Sequence, residues 1–146
     1  MQVRELLRRG RSDVITVPPT APVELALQRM IDHNVGGLPV VDETGRLVGF
    51  VGERTVVEAV LKQRSDIRAL PVASLMQRPP TCAADESVQR LMSRMTRERV
   101  RQFVVVEDDR VVGIISVGDI VKRRLDELEM ETGVLRDYVA AQRATS

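Results

Sequence analysis

The chain consists of two similar halves, and this duplication restricts its possible folds more than any other feature. When the 146-residue sequence is compared with itself at a shift of 65 residues, similar residues coincide. The coinciding pairs are Thr16 with Thr81, Val23 with Val88, Arg29 with Arg94, Met30 with Met95, Val35 with Val100, Val40 with Val105, and Val41 with Val106. A chain of this length can form two small cores only if they support each other, so we expect the halves to fold as an interdependent pair.

The repeat continues at a shift of 64 residues, because segment 42–45 is one residue longer than segment 107–109. The pairs beyond this point are Arg46 with Arg110, Val48 with Val112, Gly49 with Gly113, and Val57 with Val121. A folded duplication tolerates a change of length best in a turn at the surface. The difference therefore indicates a hairpin turn in each half.

Each half predicts the element order β-α-β-β-α. A short β segment and an amphipathic helix are followed by two β-rich runs, which are joined by a turn of Asp, Glu and Gly type. The predicted β segments are residues 14–17, 38–41 and 47–51, and residues 81–83, 103–106 and 111–115. A short helical piece precedes each half, at residues 3–7 and 72–76. The predicted fold class is α/β (α+β), with two βαββα repeats packed about a pseudo-twofold axis, a C-terminal helix, and a cleft between the repeats for a ligand.

The predicted domains are residues 1–67 with the N-terminal helix, residues 68–125, and a C-terminal helical extension over residues 126–146. A stripe with alternating spacings of four and three residues runs along the last helix: Val121, Leu125, Leu128, Thr132, Leu135, Val139 and Gln142. This heptad-like stripe favours packing on a partner chain, and hence a homodimer. The alternative is that the stripe folds back on its own module, and Gly133 weakens a continuous helix by about 1 kcal/mol relative to Ala.

The charge balance and the scarcity of reactive residues argue against several functions. The 22 basic residues nearly balance the 21 acidic ones, so no net field draws the chain to nucleic acid or to an anionic membrane. Cys82 is the only cysteine and His33 the only histidine, which gives no support for a disulfide, a zinc site or a catalytic pair. We therefore expect neither catalysis nor a prosthetic group. A cytoplasmic location is expected, since no signal peptide or membrane-spanning run is visible.

The segment that ends the second hairpin carries the best candidate site. It reads Gly113-Ile114-Ile115-Ser116-Val117-Gly118-Asp119, a strand that ends in a hydroxyl at the first turn of a helix. A helix N-terminus attracts an anion, and the carboxylate of Asp119 can accept hydrogen bonds from two vicinal sugar hydroxyls. Together these groups suit a ribonucleotide. The alternative is purely structural, because Ser116 is also a good N-cap and Asp119 resembles the partner in a capping box.

The pattern Gly-hydrophobic-x-Ser-x-x-Asp, after a hairpin within a tandem βαββα repeat, resembles the nucleotide-binding signature of cystathionine-β-synthase (CBS) domains. The resemblance covers residues 1 to about 125 and implies a stand-alone CBS pair, or Bateman module. Such a pair binds an adenosine nucleotide of the AMP, ADP or ATP type between its domains. By this resemblance, Ser116 would contact phosphate or ribose and Asp119 the ribose hydroxyls. The residues implied to hold the adenine lie in segments 81–83 and 102–104, and include Thr81, Ala83, Gln102, Phe103 and Val104.

The first half departs from this signature. Gly52 stands where the Ser is expected and Thr55 where the Asp is expected, so we predict that the first site is weak or empty. Arg54 and Arg101 are candidates to reach the phosphates, although a solvated surface position is the favoured explanation for either. The resemblance implies a regulatory ligand sensor that signals to a partner by a change of conformation. The alternative function is a ligand-free module for dimerisation or partner docking.

Overall fold

The computed structural model describes residues 1–7, 14–63 and 66–145. The chain alternates helices and strands as the repeat predicts. The elements are α1 (Val3–Leu7), α2 (Val23–His33), β1 (Gly37–Val41), β2 (Leu47–Gly52), α3 (Glu53–Lys62), a 3₁₀ turn (Val72–Ser74), β3 (Thr81–Ala83), α4 (Val88–Glu98), β4 (Gln102–Glu107), β5 (Arg110–Ser116) and α5 (Val117–Thr145). The strands form one antiparallel pair, β1-β2, and one three-stranded sheet in the order β3-β4-β5. The mixed helix-and-sheet class and the C-terminal helix predicted from the sequence are confirmed.

The two halves differ in their first β segment. In the second half β3 pairs in parallel with β4, and the Val104 N–H donates to the Pro80 carbonyl at 2.7 Å. The equivalent residues of the first half are Pro39 and Ile15. Proline has no N–H, so this hydrogen bond cannot form there. The predicted strand over residues 14–17 is therefore reduced to a single parallel bridge between Val17 and Val40.

Each half has its own apolar core, made mainly of aliphatic side chains. In the first half, fully buried Leu38 and Val51 pack with residues of α2 and α3. In the second half, Phe103 and Ile115 pack with residues of α4 and with Ile120 at the start of α5. Each core thus lies between a β-hairpin and the two helices of its own half.

The short helical pieces that precede the halves are exchanged between the cores. Val3 of α1 is fully buried in the second core, and its N–H donates to the Glu86 carbonyl at 2.9 Å. Val72 of the 3₁₀ turn is fully buried in the first core, and its N–H donates to the Ala21 carbonyl at 2.8 Å. In sequence, α1 precedes the first half, and the predicted domain over residues 1–67 includes it. In the structure its apolar face packs on the second core, beside β5.

Contacts between equivalent residues mark the pseudo-twofold relation. Arg46 and Arg110 occupy the same place in the two halves, and they form an antiparallel bridge with each other. Only residues on or near a twofold axis meet their own equivalents in this way. The close approach of an exchanged segment to a hairpin glycine also occurs in both halves. A Cβ atom on Gly49 would lie 2.7 Å from Sδ of Met76, and a Cβ atom on Gly113 would overlap Cδ2 of Leu7. Glycine at both places lets the exchanged segments approach the sheet closely.

Helix α5 begins directly after β5 and runs through Gly133 as one helix of 29 residues. Its main contacts with the rest of the fold are to α1, α4 and β5. Within the described residues, none of the helices has the length and apolar character needed to cross a membrane.

Candidate ligand cleft

A cavity of about 400 Å³ lies between the two halves, and we call it the Asp119 cavity. Its volume is within the range of small-molecule sites, about 300–1,000 Å³. Its wall combines both halves with the exchanged helix α1. The lining residues are Leu6, Leu7, Val14, Ile15, Val35, Gly37, Leu38, Val112, Gly113, Ile114, Ile115, Asp119, Lys122, Arg123 and Asp126.

Ser116 and Asp119 form a reciprocal capping box at the N-terminus of α5. The Asp119 N–H donates to Ser116 Oγ at 3.1 Å, and the Ser116 N–H donates to Asp119 Oδ2 at 2.9 Å. The Ser116 hydroxyl also donates to Oδ2, at 2.9 Å. The structural alternative raised by the motif is thus realised, with Asp in the place that Glu or Gln usually takes. Ser116 is committed to this cap and is not among the described residues that line the cavity.

Asp119 has a second role available to it because the cap uses one carboxylate oxygen. Both hydrogen bonds from Ser116 fall on Oδ2, and within the described part of the chain Oδ1 has no hydrogen-bond partner. The side chain is half-buried and lines the cavity. An ionised carboxylate is an acceptor with about four lone-pair sites, so Asp119 can cap α5 and still accept hydrogen bonds from a ligand.

The residues that the resemblance assigned to the adenine lie elsewhere. Thr81 and Ala83 belong to the parallel ladder with β4, and the Thr81 carbonyl accepts a hydrogen bond from Arg94 at 3.0 Å. Phe103 is fully buried in the second core, beneath the Arg94 guanidinium. Val104 is fully buried in β4. Gln102 is half-buried at the start of β4, and like the other four it is absent from the described lining of the cavity.

Residues of the first half also line the cavity: Val14, Ile15, Val35, Gly37 and Leu38. Of these, Gly37 and Leu38 correspond in the repeat to Gln102 and Phe103. The assignment of the adenine to segments 81–83 and 102–104 stays a prediction. No motif within the second half indicates that residues of the first half line the cavity, because that depends on how the halves dock.

Pro39 changes the backbone hydrogen bonding of the first half beside the cavity, and the Gly-hydrophobic-x-Ser-x-x-Asp motif does not include it. Without a proline N–H, the Ile15 carbonyl does not receive the hydrogen bond that the Pro80 carbonyl receives in the second half. Among the described residues, no backbone N–H donates to it. Ile15 lines the cavity, so a backbone carbonyl without a described backbone donor belongs to a residue of the cavity wall.

The two arginines proposed as phosphate ligands are not among the described residues of the cavity wall. The Arg54 side chain is 93% exposed, and its Nε donates to Glu58 Oε1 at 3.2 Å along α3. Arg101 is exposed, and its backbone carbonyl accepts from the Val117 N–H at 2.9 Å. Both arrangements correspond to the alternative of solvated surface residues.

Arg123 is the cation that the structure brings to the cavity wall. Its Nε donates to Glu127 Oε1 at 3.2 Å, whereas its Nη1 is buried and has no hydrogen-bond partner within the described residues. A buried donor without a partner is costly, and an anion would satisfy it. Lys122 and Asp126 flank Arg123 on the same wall, and both are exposed.

Other reactive groups are remote from the cavity. Burial raises the pKa of the Cys82 thiol to about 12, so this side chain stays protonated at neutral pH. In the described ranges, His, Cys, Asp and Glu side chains form no group of three or more that could hold a metal ion.

The fold, the exchanged segments and the cleft between two related halves define a pair of CBS domains. The chain belongs to the CBS domain family, which matches residues 3–62 and 72–126, one segment for each half. It is thus a CBS pair with a C-terminal helix.

Individual relatives support this assignment. The chain is 34% identical over 116 residues to inosine-5′-monophosphate dehydrogenase of Methanocaldococcus jannaschii, a match that covers 77% of this chain and 22% of that enzyme. A second curated relative is covered over 58% of its length, so the chain spans only part of these proteins. Among solved structures, a CBS-domain protein of Agrobacterium tumefaciens is 35% identical with a TM-score of 0.77, over 84% of this chain and 92% of that one. A CBS domain protein of Pyrobaculum aerophilum complexed with AMP is 25% identical with a TM-score of 0.76, over 90% and 99%.

Proposed function

We propose that this chain is a non-catalytic regulatory module that binds an adenosine nucleotide in the Asp119 cavity. The observation that carries the proposal is the half-engaged carboxylate of Asp119 on the wall of a cavity between two CBS domains. Oδ1 would accept hydrogen bonds from the vicinal hydroxyls of a ribose, while Oδ2 keeps its bonds to Ser116. The ligand is bound without a prosthetic group.

The adenine would lie between the halves. Ile15, Val35 and Leu38 supply apolar surface from the first half, and Ile114 supplies it from β5. The Ile15 carbonyl, which Pro39 leaves without its ladder hydrogen bond, would accept from the exocyclic amine of the base. A carbonyl acceptor at this position distinguishes adenine, which has an amine donor there, from a base that has an oxygen there.

Arg123 would bind the anionic group of the ligand through Nη1. A hydrogen bond between a guanidinium and a phosphate is charge-assisted and stronger than one between neutral groups. The AMP held by the related protein of Pyrobaculum aerophilum supports an adenosine monophosphate as the first candidate ligand.

A single strong site per chain is part of the proposal. In the first half Thr55 replaces the carboxylate, and Gly52 offers no side-chain cap to α3. The larger Phe50 ring stands where β5 has Ile114, and a Cβ on Gly37 would lie 2.5 Å from its Cζ. The cleft related to the Asp119 cavity by the pseudo-twofold axis is thus poorer in both polar anchors and space.

The output of the sensor would be a change in the relative pose of the halves. A ligand that contacts both walls binds better when the walls are close, and this differential affinity shifts the population of poses. We further propose that the chain is a homodimer that acts on a separate regulated protein in the cytoplasm, where a reduced Cys82 is expected.

A ligand-free docking module is the second candidate. The specific observation in its favour is the row of exposed apolar side chains on α5, which extends beyond the CBS fold. This candidate predicts that no nucleotide raises the melting temperature of the chain.

Calorimetric titration of the full chain with AMP, ADP, ATP and S-adenosylmethionine tests the proposal. We expect one site per chain for at least one ligand, and an affinity loss of about tenfold or more in Asp119→Asn. Thr55→Val, at the equivalent place of the first half, is the matched control and should bind as the wild type does. Absence of binding by the wild type to all four ligands, or equal binding by Asp119→Asn, would contradict the proposal.

A further inference from the structure

One face of α5 carries apolar side chains that the described part of the chain leaves exposed. Its members recur at alternating spacings of four and three residues, and their apolar side chains are between 40% and 62% exposed. We call these residues the α5 seam: Val121, Leu125, Leu128, Thr132, Leu135, Val139 and Gln142. In proteins, most of the stability of a helix comes from packing its apolar face, so burial of the seam against a partner would stabilise α5.

The α5 seam points away from the Asp119 cavity. Residues two apart on an α-helix lie about 200° apart around its axis. Arg123 lines the cavity, whereas Leu125 belongs to the seam, and Ile120 is buried in the second core. A partner on the seam would therefore leave the cavity open.

We propose that the α5 seam binds the α5 seam of a second copy of this chain as a parallel, in-register coiled coil. The spacing places Leu125, Thr132 and Val139 at the a positions of the heptad. Val121, Leu128, Leu135 and Gln142 then occupy the d positions. Two of the three a residues are β-branched and two of the four d residues are Leu, a combination that favours two parallel strands.

The charges beside the seam match this parallel arrangement. In a parallel pair, a g residue faces the e residue five positions later on the other helix. Arg124 would thus face Glu129 of the second copy, and Glu131 would face Arg136 of the second copy. Both contacts join opposite charges, and both occur twice because the dimer is symmetric. All four side chains are exposed.

The antiparallel arrangement of the same seam is disfavoured by the same charges. Pairing Leu128 with Thr132, and Leu125 with Leu135, places Glu129 beside Glu129 of the other helix. It also places Glu131 beside Glu131 and Lys122 beside Arg136. Like charges at these positions select against an orientation, so the flanking residues specify a parallel pair.

Gly133 and Met130 of α5 fall outside the proposed interface. Gly133 takes a b position, and a Cβ added to it would meet nothing within 4 Å. Met130 takes an f position on the far side of the helix and is 73% exposed. Met130 thus provides a control as apolar and as exposed as the seam residues.

The inference rests on the proposed homodimer but does not require nucleotide binding. Sedimentation velocity of the full chain should show a dimer for the wild type and for Met130→Asp. A carboxylate buried in the seam is unpaired, so Leu128→Asp should give a monomer with an unchanged CBS fold by circular dichroism. A wild-type monomer would overturn both the homodimer and the seam. A dimer in Leu128→Asp would overturn the seam alone, as would equal dissociation of the two variants.

The orientation is tested with a single engineered thiol. In a Cys82→Ala background, Val139→Cys should form a disulfide between the two chains on mild oxidation, because an in-register pair brings residue 139 against itself. Leu125→Cys should do the same, whereas an equimolar mixture of Leu125→Cys and Leu135→Cys, which face each other in the antiparallel arrangement, should give no 125–135 product. A dimer without either homodisulfide, or with the mixed product, would overturn the parallel register.

Charge reversal gives an independent measurement of the same register. Glu131→Arg or Arg136→Glu alone should weaken dimerisation about tenfold, since each creates two like-charge contacts. The double variant should restore the wild-type dissociation constant. Additive losses in the double variant would contradict the pairing of residues 131 and 136.

Discussion

Ser116 donates to Asp119 twice, and both hydrogen bonds end on the same carboxylate oxygen. The backbone N–H and the hydroxyl each lie 2.9 Å from Oδ2. One oxygen of Asp119 thus holds the start of α5, and the other has no hydrogen-bond partner among the described residues. In the proposed function, the structural and binding roles that the sequence presents as alternatives would be divided between these two oxygens.

This division predicts different effects for the two members of the box. Ser116→Ala removes the N-cap acceptor and should lower the free energy of unfolding by about 1 kcal/mol, measured by urea denaturation. Nucleotide affinity should change less than twofold, because Ser116 does not line the cavity. Ser116→Gly, which keeps much of the cap's stability, is the control. A tenfold loss of affinity at unchanged stability would show that the hydroxyl contacts the ligand.

Restoring an N–H at residue 39 should change the recognition of the base. Pro39→Val allows residue 39 to donate to the Ile15 carbonyl, as Val104 donates to Pro80 in the second half. That carbonyl would then be less available to an adenine amine. We expect the preference for AMP over IMP, measured by calorimetry, to fall about tenfold. An unchanged preference would mean that the Ile15 carbonyl does not read the base.

The exchange of α1 into the second core can be tested at Gly113. A Cβ at this position overlaps Leu7 of α1, so Gly113→Ala should destabilise the chain by about 1–3 kcal/mol. Leu7→Ala combined with Gly113→Ala should recover part of this loss, because the shorter side chain makes room. The control is Gly133→Ala, which meets no neighbour and should raise stability by up to about 1 kcal/mol. Equal and additive effects of the Leu7 and Gly113 changes would argue against the contact.

Much of the fold was accessible from the sequence because its signals are local. The matching of Arg46 with Arg110 came from the repeat alone, and the structure joins these two residues across the pseudo-twofold axis. The Ser-x-x-Asp spacing likewise indicated the strand-to-helix junction at Ser116. The first feature can be read by comparing the sequence with itself at a fixed shift, and the second from a few neighbouring residues.

The composition of the cavity wall was not accessible in the same way. It depends on which half contributes residues beside Asp119. The motifs of a duplicated sequence are compatible with either half. The resemblance implies adenine contacts from residues of the second half, such as Thr81 and Gln102. The residues that line the cavity include Ile15 and Leu38 of the first half. The exchange of α1 was missed for the same reason, since its apolar face fits the space beside either hairpin.

Methyl-resolved NMR of the full chain during titration with AMP tests the central claim most directly. A ligand held between Asp119 and the first half should shift the methyl signals of Ile15, Val35, Leu38 and Ile114. The signals of Val48 and Val100, at the equivalent places in the related cleft, should stay in position. Saturable shifts confined to the first set, and abolished in Asp119→Asn, are the result that the account predicts. Shifts at Val48 and Val100 that persist in Asp119→Asn, with none at Ile15 or Ile114, would contradict it.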